Sequence, residues 1–460
     1  MDRRDFLGWM GAGMVAGVAD ARASEASPPA TARHRHEVVV IGAGLAGLAA
    51  AQRLRVQGRD AIVLEARERI GGRIWTSARW ADAPLDLGAT WIHGVRGNPL
   101  TALADRLHAK RVTTSYDRSI AYGTAGAPLS EDEQAAMARV RNRLHRALET
   151  AQSRDSDISI RRVADDLLAD LDGADETRRR LEFLLSGEIE QEYAGSAHAL
   201  SAHEYDAADA FPGDDAVFAD GFRTLTDFLA RDLRIATGRV VQHIDWSGKP
   251  VRIETRGENG DETYLADRVL ITLPLGVLKS DRVRFAPALP PEKRAAIAGL
   301  GMGVLNKCYL RFAEAFWPTD VDWIEYVSER PGEWTEWVSF MRAMKLPILL
   351  GFNAADRGRE IETWSDARIV DDAMRTLRRL YGPNAPAPID AQITRWASDP
   401  YALGSYSFNP VGVTPVLRRA LARPVDAKLF FAGEATESRY FSTSHGAYLS
   451  GLRAAKELSA

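Results

Sequence analysis

Residues 38–47 read Val38-Val39-Val40-Ile41-Gly42-Ala43-Gly44-Leu45-Ala46-Gly47. A helical run follows, then Ala61-Ile62-Val63-Leu64-Glu65, then Ala66-Arg67-Glu68-Arg69-Ile70-Gly71-Gly72-Arg73. The β-branched run 38–41 reads as a buried parallel strand. Gly42, Gly44 and Gly47 form a G-x-G-x-x-G pattern at its end. Gly42 permits the tight turn, Gly44 lets the backbone approach a pyrophosphate, and Gly47 lets the helix pack close on the sheet. The N–H groups that open the helix, around Ala43, Leu45 and Ala46, face the phosphate charge. Residues 48–56 carry the helix, with Leu48, Ala51 and Leu54 on one face. Gly58 ends it, and 61–64 is the second strand. Glu65 closes that strand, where a carboxylate accepts ribose hydroxyls. Strand, turn, helix, strand and acid fall in order, so the reading is a dinucleotide site in an α/β domain.

The chain has 460 residues, 45% hydrophobic and 27% charged, with a net charge of −4. That length holds two or three domains with ample core. No long basic block is present, which argues against a nucleic-acid partner. The single cysteine, Cys308, excludes an internal disulfide and a cysteine-rich metal site, so no metal is expected. Asp2-Arg3-Arg4-Asp5-Phe6-Leu7, a weakly apolar run and Ala21-Arg22-Ala23 resemble a twin-arginine signal with its cleavage site. The apolar run is too short to span a membrane. The expectation is a signal peptide over 1–23, a polar linker over 24–36, the twin-arginine export machinery as partner, and a periplasmic or secreted protein.

Further along, residues 85–94 read Leu-Asp-Leu-Gly-Ala-Thr-Trp-Ile-His-Gly, in which Gly88 and Gly94 bracket a segment that can run beneath a flat ring. Ser130-Glu131-Asp132-Glu133 is a capping box opening a helix with Met137, Val140, Leu144 and Leu148 on one face. Glu188, Glu190 and Glu192 are spaced for one face of a strand, whereas only 188 and 192 share a face on a helix. They form either a solvated acidic edge or a negative funnel for a cationic substrate. Residues 224–233 read as a helix, 240–244 as a strand, and 251–255 with 263–265 as a hairpin. A strand then runs into Pro274. Residues 290–300 form a helix with proline at its start. Lys307 lies in an alternating strand, where a lysine is costly without a partner. Trp317, Trp323, Tyr326, Trp334, Trp337 and Phe340 suggest short antiparallel strands walled by aromatics. Thr443 and Ser444 start a final helix whose N–H groups favour negative charge.

The Arg67…Gly71-Gly72-Arg73 pattern, the 88–94 run, Lys307, residues 396–406 and residues 432–451 together resemble the flavin-containing amine oxidases: monoamine oxidases, polyamine oxidases and lysine-specific histone demethylases. In motifs, the polyamine oxidases come closest. The resemblance implies a discontinuous Rossmann-like FAD-binding domain (37–115, 216–288, 393–460) with an inserted α+β substrate domain of mixed antiparallel sheet and helices (116–215, 289–392). It implies hydride transfer from the carbon next to an amine nitrogen to flavin N5, imine hydrolysis, and reoxidation by O2 to hydrogen peroxide. The difficult chemistry belongs to the flavin.

Carried over residue by residue, the resemblance gives FAD the segments 42–47, 65–67 and 71–73. It adds Gly88, Ala89, Thr90, Trp91, Val241, Pro274, Trp396, Tyr401, Gly433, Glu434, Thr443 and Ser444. Lys307 matches the lysine that bonds a water at flavin N5. Trp396 lies beside the ring, and Tyr406 is one wall of an aromatic cage whose opposite wall is Thr443. Ser405 stands where monoamine oxidases carry a flavin-linked cysteine, so FAD is expected to be non-covalent. His93 is either a structural histidine or a group facing substrate. With Glu190, Glu192, Tyr406 and Thr443, it makes the expected substrate site for a polyamine such as spermine or spermidine. The alternatives are a primary monoamine, an L-amino acid, which would need an arginine clamp, and a non-enzymatic FAD-binding scaffold.

Overall fold

The computed structural model describes residues 33–171, 175–258 and 260–460. The twin-arginine motif lies outside the described residues. The strand Arg33–Ile41 is central to an eight-stranded sheet. It is flanked in parallel by Ala61–Leu64 on one side and by Gly260–Ile271 on the other. Its side chains alternate between faces, and both faces are covered. Val38 and Val40 enter one apolar core, Val39 and Ile41 the other. This two-sided burial is why the strand reads as an unbroken apolar run.

The strand begins inside the stretch expected to be linker. Arg33 is opposite Thr263 and His36 is opposite Ala266. Gly260–Ile271 runs for 12 residues and offers backbone partners well before the apolar segment starts. The return strand of the hairpin and the strand leading to Pro274 are therefore one element. Its far edge pairs antiparallel with Val251–Gly257, then parallel with Leu429–Phe431. The helix expected over 224–233 is Arg223–Leu229; the chain leaves it before Asp232, which has φ +58°.

On one face of the sheet, Leu45–Val56 packs against the final helix Ser444–Ser459. The crossing is tight: a Cβ on Gly451 would lie 2.2 Å from the Ala46 carbonyl. Two helices about 400 residues apart in sequence thus pack directly on one another beside the glycine turn.

The second sheet has six strands, in the order Asp390–Ile393, Leu305–Arg311, Ile348–Ala354, Glu336–Ser339, Trp323–Tyr326 and Ser119–Tyr122. All neighbours are antiparallel except the last pair. Trp323, Tyr326 and Trp337 lie on these strands, whereas Trp317, Trp334 and Phe340 are buried in the connections. Helices Glu131–Gln152, Ile160–Asp170 and Asp175–Leu184 form a separate apolar cluster beside this sheet. Between the two large sheets, Trp91–Ile92 and Arg111–Thr114 both pair with Asp215–Phe218. Among the described residues, no helix is long and apolar enough to cross a membrane, and no cluster suits a metal ion.

Candidate active site

A cavity of about 960 Å³ runs from the Gly42–Ala46 turn, past Lys307 and Trp396, to Tyr116 and Glu336 on the second sheet. Its first end is built for a dinucleotide. Gly44 caps the opening helix without a side-chain partner, and the helix's first turn carries no acid. The N–H groups of Leu45 and Ala46, which line the cavity, are therefore left for an anion. A Cβ on Gly44 or on Gly433 would meet no protein atom within 4 Å, although both residues line the cavity. These glycines leave space for a ligand. Gly42 and Gly47 are required by the fold itself, since a Cβ on Gly47 would lie 2.0 Å from the Gly42 carbonyl. Glu65 is buried and accepts from the Ala43 N–H at 2.8 Å and the Arg67 N–H at 2.9 Å. Its carboxylate is thereby aimed at the cavity floor beside Ala66. Arg67 pairs with Asp399 at 2.6 Å and lies over the Tyr401 ring. Val241, Pro274, Gly71 and Gly72 complete this end.

Midway, Arg73 donates to Glu434 at 2.8 Å and to the Ser405 carbonyl at 2.7 Å. Burial would raise the Glu434 carboxyl, but Arg73, Ser407 and Arg418 outweigh it and hold the group below its ordinary value. Arg418 is fully buried and donates to Ser407 Oγ at 2.7 Å and to Asn409. The Ser405 hydroxyl is committed to the Leu305 backbone, at 2.8 and 3.0 Å. Cys308 is buried away from the cavity lining, so no thiol is placed to link a flavin.

Lys307 is buried, and its Nζ donates to the Asp86 carbonyl at 2.9 Å, the Gly88 carbonyl at 2.6 Å and the Thr90 hydroxyl. It thus braces the segment that carries Ala89 and Trp91 along the cavity. Burial pushes its pKa down, and the Asp86 charge pulls it part of the way back. The Trp396 indole donates to the Leu87 carbonyl at 3.1 Å, which fixes its ring beside the same segment. Tyr406 donates to the Gln191 carbonyl at 2.7 Å. Thr443 spends its hydroxyl on the cap of the final helix, accepting from Gly446 N–H at 2.9 Å and donating to the Tyr440 carbonyl at 2.7 Å. Thr443 and Ser444 line the same cavity as Tyr406.

His93 faces the cavity, and its Nδ1 is 2.7 Å from Asp215. The register explains the pairing: Trp91 is opposite Val217 and Ile92 is opposite Ala216, so the next residue on each strand is His93 and Asp215. Burial alone would lower the imidazole pKa. The Asp215 bond and the charges of Asp215 and Glu192 outweigh burial and raise it.

Of the acidic trio, only Glu192 lines the cavity. The helix widens to a π-turn over Leu185–Gln191, and its i→i+5 bonding spreads the three carboxyls around the axis. Glu188 turns out to Arg141 and His145. Glu190 accepts from the Ala197 N–H at 2.9 Å, and burial raises it to about 7. The expectation that Glu190 binds substrate is corrected: it holds a turn. Ala43 and Gly47 likewise stand behind the lining and shape the turn that the cofactor meets.

The sequence reading missed Tyr116, Trp323, Phe352, Gln191 and Glu336, which all line the far end. The Tyr116 ring stacks on Trp323 at 4.2 Å, and Trp323 stacks in turn on Trp91 at 5.9 Å. Trp323 carried a signal, as one of a cluster of aromatics; the others carried none.

The chain matches the flavin containing amine oxidoreductases over residues 45–459. It belongs to this family. Polyamine oxidase 2 of Arabidopsis thaliana is 34% identical over 443 residues, covering 91% of this chain and 87% of that protein. Polyamine oxidase 3 of Oryza sativa subsp. japonica is 35% identical, with 92% and 89% covered. Lysine-specific histone demethylase 1 homolog 3 of the same rice is 34% identical over 94% of this chain but only 55% of that protein. The solved structure of a putrescine oxidase bound to putrescine shares the fold, with a TM-score of 0.75 at 20% identity, over 93% of this chain and 99% of that one. The protein is an FAD-dependent amine oxidoreductase, and the glycines, helix N-terminus and Glu65 described above fit its cofactor.

Proposed function

We propose that this amine oxidoreductase acts on a polyamine of the spermine or spermidine type, with O2 as acceptor and hydrogen peroxide as product. One observation carries the substrate class. The far end of the cavity presents Glu192, Asp215 and Glu336 and, among the described residues, no arginine. The arginines on the lining, Arg67, Arg73, Arg239, Arg256 and Arg282, stand toward the cofactor end or its mouth. An amino-acid carboxylate has no clamp here, whereas a chain of ammonium groups has several countercharges. The near full-length match to polyamine oxidases supports the same reading over demethylation.

When bound, FAD supplies the two-electron acceptor for the hydride that leaves the carbon beside the nitrogen. The chain's own residues do the rest. Tyr406 and Trp396 wall the approach, and Thr443 keeps the opposite side wide enough for a secondary amine. The reacting nitrogen must be neutral for its lone pair to assist, and the His93–Asp215 pair stands where it can take that proton. Glu192 and Glu336 hold the nitrogens that stay charged. Lys307 and Trp396 fix the segment over which the substrate lies.

Anaerobic mixing with spermidine, benzylamine and leucine tests this. Spermidine bleaches the flavin fastest; bleaching by leucine or benzylamine alone would overturn the polyamine assignment. We also propose twin-arginine export. Replacing Arg3 and Arg4 together by lysine should then retain the protein in the cytoplasm, and unchanged export would refute it.

A further inference from the structure

Glu336 opens the strand Glu336–Ser339, is only 6% exposed, and lines the substrate end of the cavity. Among the described residues, no N–H or O–H donates to its carboxyl. A Cβ on Gly187 would come within 3.2 Å of its Oε1. The charges that act on it most strongly are negative. Glu325 on the adjacent strand is its direct partner in register. The π-turn and the residue after it bring Glu188 and Glu192. Tyr116 supplies an uncharged phenol, and Asp215 lies across the cavity, already paired with His93. Arg141, which faces Glu325, is bound to Glu188.

Like charges directly opposite on paired strands destabilise one another. A largely buried carboxylate to which no protein group donates is costlier still. We propose that Glu336 is a proton-loaded subsite: the resting enzyme keeps it as a carboxylic acid, and the protonated distal nitrogen of the substrate replaces that proton. One O–H proton leaves Glu336 for solvent as one ammonium charge arrives, and no bond of the substrate changes. Burial and the charges of Glu325, Glu192 and Glu188 raise the carboxyl to about 8, in keeping with this geometry. The inference rests on the polyamine reading and adds a consequence to it. Below that range and below the raised His93 value, where the imidazole is already protonated and cannot keep another proton, spermidine binding must expel two protons, one from the reacting nitrogen and one from Glu336.

The test is the spermidine Kd from anaerobic flavin reduction on the holoenzyme as a function of pH. In the parent, 1/Kd should rise about 100-fold per pH unit below neutrality, and in Glu336→Gln about tenfold. Glu325→Gln removes the opposing charge, so the bend in the parent profile should move to lower pH. Equal slopes in parent and Glu336→Gln overturn the inference while leaving the polyamine reading intact. Should Glu336→Gln fail to retain FAD, a bend that Glu325→Gln leaves in place overturns it instead. A flavin that spermidine does not bleach at any pH overturns both.

Discussion

The Tyr406 hydroxyl donates to the Gln191 carbonyl across 2.7 Å, tying the wall beside the cofactor to the π-turn that presents Glu192. A π-turn leaves carbonyls without their usual helical partners, and Tyr406 uses one of them. Tyr406→Phe keeps the ring and removes only this link. A net hydrogen bond contributes roughly 0.5–1.5 kcal/mol, so kcat/KM for spermidine should fall about 3- to 10-fold. The loss should appear mostly in KM, with FAD content unchanged. An unaltered KM would show that the link does not position the acidic end.

The glycines of the opening turn should separate by function. A methyl on Gly47 meets the Gly42 carbonyl at 2.0 Å, which is backbone and cannot step aside. Gly47→Ala should therefore destabilise the fold by roughly 1–3 kcal/mol, as overpacking does. A methyl on Gly44 meets nothing of the protein and enters ligand space. Gly44→Ala should leave the melting temperature of the FAD-free protein nearly unchanged and weaken FAD binding. Thermal melts with FAD titrations check both.

The same turn shows what can be read from sequence. Gly42 to Glu65 is a local unit whose chemistry depends on spacing, and its strand, turn, helix and acid stand where the pattern puts them. The capping box at Ser130 is local in the same way, and both of its bonds form. Glu190 was misjudged because helix and strand periods do not describe a π-turn, so the face of each carboxyl was not a function of spacing. Asp215 gains its role from a strand register with His93 across 122 positions. Tyr116, Arg418 and Glu336 depend on such tertiary pairings too. Arg418 was further masked by Arg419, which stands next to it in the same helix but is not buried.

The His93–Asp215 pair gives a pH signature with a defined sign. The His93 pKa is raised, so its contribution to stability is present below the unfolded value and lost as pH rises through the folded one. The Asp215 pKa is lowered by His93 and Gly94 against burial, so its contribution is present above the unfolded value and lost as pH falls through the folded one. The pair therefore stabilises most between the two. Asp215→Asn leaves burial and Lys307 to act on the imidazole, with Glu192 opposing them. NMR titration of the His93 ring should show a fall in its pKa relative to the parent, and the rising limb of kcat/KM against pH should shift down with it. A His93 titration that does not move would separate the two residues.

Lys307 offers the sharpest test of the cavity's centre. Its Nζ is the common donor to Asp86, Gly88 and Thr90, and the strand Leu305–Arg311 holds it rigidly through pairing on both edges. Lys307→Met keeps the length and apolar stem but removes every donor. The 86–90 segment then loses its brace, and Trp91 and Trp396 lose the surface that orders them. FAD should remain bound, because the dinucleotide end and the Arg73–Glu434 pair are untouched. Turnover should fall about 100-fold, the scale that a misplacement of about 1 Å around the reacting centre costs. Lys307→Arg should not rescue it, since the larger planar guanidinium does not match acceptors arranged for an ammonium. Flavin absorbance reads cofactor retention, and single-turnover reduction by spermidine reads the chemistry. Parent-like reduction in Lys307→Met would show that the brace on the 86–90 segment does not set the geometry of the reaction.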